Sequence, residues 1–228
     1  MDFTLSRRLT AEFLGSLILT MTAISPTILG YNVLGAGIPL TVLMDAIAVG
    51  FVLFMLIEAL GPISGAHFNP AVTLSFMAAK SIKVNEGILY ISIQFLGGFV
   101  GMLCSSLMFY QDVPKLIQIS TISRSGGAYF SEFICTFTLV LAIWCLSKSR
   151  SRLISLAIGT LVGGFIIGTS STMFANPQVT FARMFTYAIA GIRPEDGIIF
   201  IFVELLAALV ATGVATFLFK ENQTTIKE

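Results

Sequence analysis

Residues 69–73 read Asn69-Pro70-Ala71-Val72-Thr73, and residues 176–180 read Asn176-Pro177-Gln178-Val179-Thr180. Asn is a favoured N-cap, and Pro suits the first helical turn, where its missing N–H would have had no partner. Each stretch therefore reads as a helix that starts at Asn-Pro. The apolar runs they open, near 69–79 and 176–186, are too short to cross a bilayer, which takes about 20 residues. Eleven residues rise about 16 Å, roughly half of the ~30 Å hydrocarbon thickness.

Six longer apolar stretches frame them, at roughly 9–30, 38–58, 86–108, 128–147, 154–173 and 198–219. Of the 228 residues 56% are hydrophobic and only 11% charged, where an average soluble domain has about 25% charged. Too few charges are present to cover a soluble globule, so the solvent is lipid and only short loops remain. The net charge of +1, from 13 basic and 12 acidic residues, points to no nucleic acid or strongly charged partner. Cys104, Cys135 and Cys145 are odd in number and sit inside apolar runs, which implies neither a disulfide framework nor a metal cluster. No cofactor is expected. Arg7 and Arg8 precede the first run, but Glu12 interrupts it and no convincing cleavage site follows, so this run is expected as a retained helix.

With six spans both termini share a face. Arg7, Arg8, Lys80, Lys83, Lys148, Arg150, Arg152, Lys220 and Lys227 fall on that face, against Lys115, Arg124, Arg183 and Arg193 on the other. This bias places both termini in the cytoplasm, with the chain in the cell membrane. The sequon Asn222-Gln223-Thr224 then lies on the cytoplasmic side and carries no meaning.

The two Asn-Pro segments fall on opposite faces. Ala11-Glu12-Phe13 and Ser131-Glu132-Phe133 recur at a similar offset, as do Gln94 and Glu204. One unit of three spans is thus duplicated, and an odd unit enters the membrane the other way round on its second pass. The expected fold is an all-α membrane protein: six transmembrane helices plus two half-helices in an inverted repeat. The repeats cover about 8–108 and 128–219 of a single transmembrane domain, 1–228. Two half-helices entering from opposite faces meet N-terminus to N-terminus at the midplane. Irregular backbone there is tolerated only when buried in protein or lining a water-filled cavity, so a polar path is implied. Asn69 and Asn176 are its candidate waist, with amides that donate to a passing oxygen. The two N-termini add partial positive charge, roughly half a unit each, which opposes cations but not neutral molecules.

Ser64-Gly65-Ala66-His67-Phe68-Asn69-Pro70-Ala71-Val72-Thr73 resembles the first signature of the aquaporin and glycerol-facilitator family, and the resemblance extends over about 8–219. It implies a homotetramer with a pore in each subunit. The second signature departs: the family usually has Asn-Pro-Ala-Arg, and here Val179 occupies the arginine position. Carried over by offset from the two Asn residues, the implied selectivity filter is Val49, Gly164, Met173 and Val179. Such a filter has no charge and no side-chain donor, and Gly164 leaves room. Stripping a polar solute of water without compensation costs several kcal/mol, so an apolar, wider filter favours larger neutral solutes. The segment Phe174-Ala175-Asn176-Pro177-Gln178-Val179-Thr180-Phe181-Ala182-Arg183, with Ala190-Gly191-Ile192-Arg193-Pro194 after it, is similar to a prokaryotic branch linked to arsenic detoxification. That implies glycerol, urea, water and arsenous acid or related metalloid species as solutes, with a water-selective pore as the alternative.

Arg183 lies one helical turn beyond Val179 and either projects into the pore mouth or snorkels to the headgroups. Glu12 and Glu132, in the first turns of spans one and four, are costly in lipid and are expected to be hydrogen-bonded. The resemblance implies structural carboxylates that hold the half-helix loops, with Gln94 and Glu204 bracing in equivalent places. Asp45 and Glu58 in span two find no clear role. His67, the only histidine, is placed by the resemblance at the cytoplasmic pore mouth. Gly159 and Gly163, and Gly164 and Gly168, have the small-xxx-small spacing of close helix crossings. A secondary transporter would need a midplane carboxylate where this chain has two amides. A closed-pore structural protein would need more adhesive surface than the Tyr110–Gly127 loop gives. No nucleophile–base pair suggests an enzyme.

Overall fold

The structure is a computed structural model and describes residues 3–220. Lys227 and the Asn222 sequon lie outside the described residues. Helix α1, Leu5–Thr22, is followed by a single turn, α2, Ser25–Thr27, and a π-helical turn, Ile28–Val33. Pro26 at the start of α2 interrupts the run because it offers no N–H to the helix before it. Then come α3 (Gly37–Ser64), α4 (Pro70–Ala78), α5 (Val84–Met108), α6 (Gly127–Lys148), α7 (Ile154–Gly168), α8 (Pro177–Arg183) and α9 (Pro194–Leu218).

Among the described residues, five helical stretches, including the composite Leu5–Val33, are long and apolar enough to cross a membrane. The expected fifth span, 154–173, is shorter than read from the sequence. Helix α7 has 15 residues and stops at Gly168, where Thr169 turns extended. At 1.5 Å per residue it rises about 22 Å. The polar run Thr169-Ser170-Ser171-Thr172 leaves the helix and begins the descent toward α8. The half-helices are also shorter than their apolar runs, at nine residues for α4 and seven for α8.

Helix α1 packs on α5 and α3, α6 packs on α9 and α7, and α3 runs against α7 across the two halves. Each half-helix also touches the other half: α4 lies against α9, and α8 against α5. This exchange draws Pro70 and Pro177 together at the centre. Large apolar side chains cover the outside, with Phe51 at 71% and Phe217 at 77% exposure, as expected where lipid is the neighbour. Residues 109–126 join α5 to α6. Gln118 and Ser120 N–H donate to the carbonyls of Phe185 and Met184, and Arg193 N–H donates to Ile122, which clamps this loop over the residues after α8.

Candidate functional site

Asn69 and Asn176 cap their half-helices alike. Asn69 Oδ1 accepts the Ala71 N–H at 2.9 Å, and Asn176 Oδ1 accepts the Gln178 N–H at 3.3 Å. Their amide nitrogens cross over: Asn69 Nδ2 donates to the Ala175 carbonyl at 2.7 Å, and Asn176 Nδ2 to the Phe68 carbonyl at 2.9 Å. The structure thus joins the two motifs, and each amide keeps one further N–H.

The backbone leading into each Asn is strained in the same way. Ala66 and Phe68 before Asn69, and Met173 and Ala175 before Asn176, hold φ between 44° and 51°. Residues with a Cβ rarely adopt this left-handed region, and they persist in it only where neighbours over-determine the conformation. The two buried glutamates supply that constraint. Glu12 accepts from Ser64 Oγ (2.6 Å), His67 N–H (3.0 Å), Phe68 N–H (2.7 Å) and Gln94 Nε2 (2.7 Å). Glu132 accepts the N–H groups of Phe174 and Ala175. Gln94 Nε2 also reaches Thr73 Oγ1 at 3.0 Å, and Thr180 Oγ1 donates to Glu204 at 2.7 Å, so the bracing pair recurs in both halves. Glu58 accepts from Ser155 Oγ at 2.6 Å and ties α3 to α7.

A cavity runs along this junction, lined by Val49, His67, Asn69, Met173, Asn176, Val179 and Arg183. His67 is half-buried; its Nδ1 lies 3.1 Å from Thr73 Oγ1 and its ring packs at 4.6 Å on Phe76. Gly164 does not join the others. It is exposed, and a Cβ built on it meets nothing within 4 Å. The cavity face of α7 is Ile154, Ile158, Val162 and Ile166, at the four-residue spacing of one helical stripe. Gly164 is two residues from both Val162 and Ile166, which turns it to the opposite side. Counting back from Asn176 fails because Thr169–Ala175 is irregular and does not keep helical phase.

Arg183 does not snorkel. It is 2% exposed, with Nη2 bonded to the Ala23 carbonyl and 3.5 Å from Asp45 Oδ2, and its guanidinium lies 4.3 Å from the Phe174 ring. The sequence reading had no role for Asp45 and none for Arg124. Arg124 donates from the covering loop to the carbonyls of Ser171, Ile189 and Gly191 and to Thr172 Oγ1. Burial, then the nearby Arg183, lowers its pKa to about 10, so it stays charged at neutral pH. Gln178, where the first motif has Ala71, is fully buried beside Gly98; it accepts from Thr20 Oγ1 at 2.9 Å and donates to the Phe68 carbonyl at 3.3 Å.

Two Asn-capped half-helices meeting inside an all-α membrane protein, beside a largely apolar cavity, define a helical membrane channel. The profile described as "Major intrinsic protein" matches residues 1–175. The aquaglyceroporin AqpS of Rhizobium meliloti (strain 1021) is 33% identical over 227 residues, covering 100% of this chain and 96% of that one. Aquaporin-4 of Bos taurus is 30% identical over 226 residues, covering 95% of this chain and 68% of its own. The X-ray structure of the aquaglyceroporin from Plasmodium falciparum superposes with a TM-score of 0.66 at 19% identity, covering 95% of this chain and 96% of that one. The chain belongs to the major intrinsic protein family, whose members are channels and not enzymes.

Proposed function

We propose that this chain is a passive channel for small neutral solutes broader than water: glycerol, urea, arsenous acid or related metalloid species, together with water. The observation that carries the reading is the cavity wall. Val49, Ile166, Met173 and Val179 bring only apolar side chains to it, and the polar side chains are few: Asn69, Asn176, His67, Ser147 and Arg183. Likeness to AqpS, named an aquaglyceroporin, supports the same solute class. In this reading the chain is one channel domain of repeats about 8–108 and 128–219. It works as a homotetramer in the cell membrane with both termini cytoplasmic, the side that Arg8, Lys80, Lys83 and Lys148 favour. Likeness to aquaporin-4 keeps a water-selective pore as the alternative.

Stopped-flow light scattering on proteoliposomes tests the reading, with water, glycerol, urea and arsenous acid compared. Fast flux of the larger solutes is expected; fast water flux alone overturns the solute assignment. Val179→Arg narrows the filter and is expected to cut glycerol flux about tenfold more than water flux, a barrier difference of about 1.4 kcal/mol. Equal loss of both counts against Val179 as a filter residue.

Asn176→Asp replaces the amide that donates to the Phe68 carbonyl with an oxygen that repels it, and adds negative charge at the waist. Weaker cation exclusion is expected, seen as an ion leak in the same vesicles. An unchanged leak with persisting water flux removes Asn176 from the waist.

A further inference from the structure

Val179 stands where the family resemblance expects a filter arginine, yet a guanidinium reaches the cavity one turn further along α8. Asp45 lies four residues before Val49 on α3, and Arg183 four residues after Val179 on α8. The valines and the ion pair therefore form two layers about one helical pitch, ~5.4 Å, apart. Both charged side chains are buried, at 7% exposure for Asp45 and 3% for Arg183. Arg183 lines the cavity, whereas Asp45 is not part of its wall. The carboxylate stands behind the guanidinium, 3.5 Å from Nη2, while the Ala23 carbonyl and the Phe174 ring hold Arg183 from other sides.

We propose that this channel carries its charge barrier one turn away from the apolar filter: Arg183 is the residue that repels cations, and Asp45 is a positioning residue that fixes its guanidinium. The inference rests on the channel reading above. One feature favours it over a purely structural pair: the nearby Arg124 directs its guanidinium to carbonyls and Thr172, so Arg183 is the cation left at the wall.

The test is proton leak in proteoliposomes holding the full-length protein, driven by a potassium gradient with valinomycin and read with an internal pH dye. Water and glycerol fluxes are measured on the same vesicles. Arg183→Met strands the Asp45 carboxylate beside the path, and the leak is expected to rise about tenfold or more, because unit charges at such distances interact strongly outside bulk water. Asp45→Asn keeps the cation and an acceptor oxygen beside it but loosens its hold, so the leak is expected to rise only about twofold, well below that of R183M. The double variant D45N/R183M falls between the two. If R183M fails to assemble, the double variant carries the test, and its leak must exceed that of D45N. The proposal is overturned if R183M or the double variant is as tight as D45N while water still flows, or if D45N leaks as much as R183M, the result of a pair that only holds helices together. Absence of both water and glycerol flux in the unsubstituted protein overturns the channel reading itself and is told apart by that.

Discussion

Glu12→Ala is expected to lower the thermal unfolding midpoint of the detergent-solubilised protein by about 10 °C or more. Four donors converge on this carboxylate: Ser64 Oγ, Gln94 Nε2 and the N–H groups of His67 and Phe68. Alanine strips three of them of this acceptor in a site with no exposure, while Gln94 Nε2 keeps Thr73 Oγ1. Each buried group left unsatisfied costs about 1–3 kcal/mol. Partial relaxation leaves a loss of roughly 4 kcal/mol, and in a chain of this size each kcal/mol moves the midpoint by about 2–4 °C. Ala66 and Phe68 in the left-handed region would also lose the constraint that keeps them there. Glu12→Gln should fall less, since one oxygen still accepts. A midpoint within about 2 °C of the unsubstituted protein for Glu12→Ala would show that the carboxylate does not hold the loop.

The second large effect is steric. A Cβ at Gly159 would sit 2.5 Å from the Gly50 carbonyl oxygen and 2.9 Å from Phe54 Cβ. The first of these is backbone in the middle of α3, so α3 and α7 must separate. Overpacking of this kind costs about 3 kcal/mol, and Gly159→Ala is expected to lower the midpoint by about 6 to 12 °C. Its neighbours in sequence and along the helix, Ile158 and Val162, line the cavity, so the glycerol-to-water flux ratio should change as well. Gly164→Ala is the matched control. Nothing lies within 4 Å of its added Cβ, so both stability and fluxes are expected to stay as they were. A flux change in Gly164→Ala would return this residue to the pore wall.

The half-helices and the fold class were legible because Asn-Pro chemistry and hydrophobic run length act locally; of the six spans expected, five are long and apolar enough to cross among the described residues, and α7 is shorter. Glu12 and Glu132 were legible too, since a carboxylate at the start of an apolar run needs donors. The filter was read less well. Val49, Met173 and Val179 line the cavity, but Gly164 was placed by offset across Thr169–Ala175, where the chain leaves helical geometry. Helical phase within α7 would not have settled it either. Ile158 and Ile166 face the cavity while Leu156 and Ile167 on the other side are equally apolar, because lipid and an apolar pore ask for the same residues. Asp45 stayed unassigned because its partner, Arg183, comes from the other half of the chain. Arg124 was counted only as a loop charge, and its carbonyl partners exist only once residues 109–126 fold over the mouth.

The crossed bonds at the waist also fix an order of events during synthesis. Asn69 finds its carbonyl at Ala175, and Asn176 finds its own at Phe68. Neither repeat can close its junction alone. A ribosome that has threaded the first five long segments has delivered one half-helix whose capping amide has no acceptor to meet. A chain halted before residues 175 and 176 arrive holds an Asn69 amide without its Ala175 acceptor, so the junction is the work of the whole sequence and of neither repeat by itself.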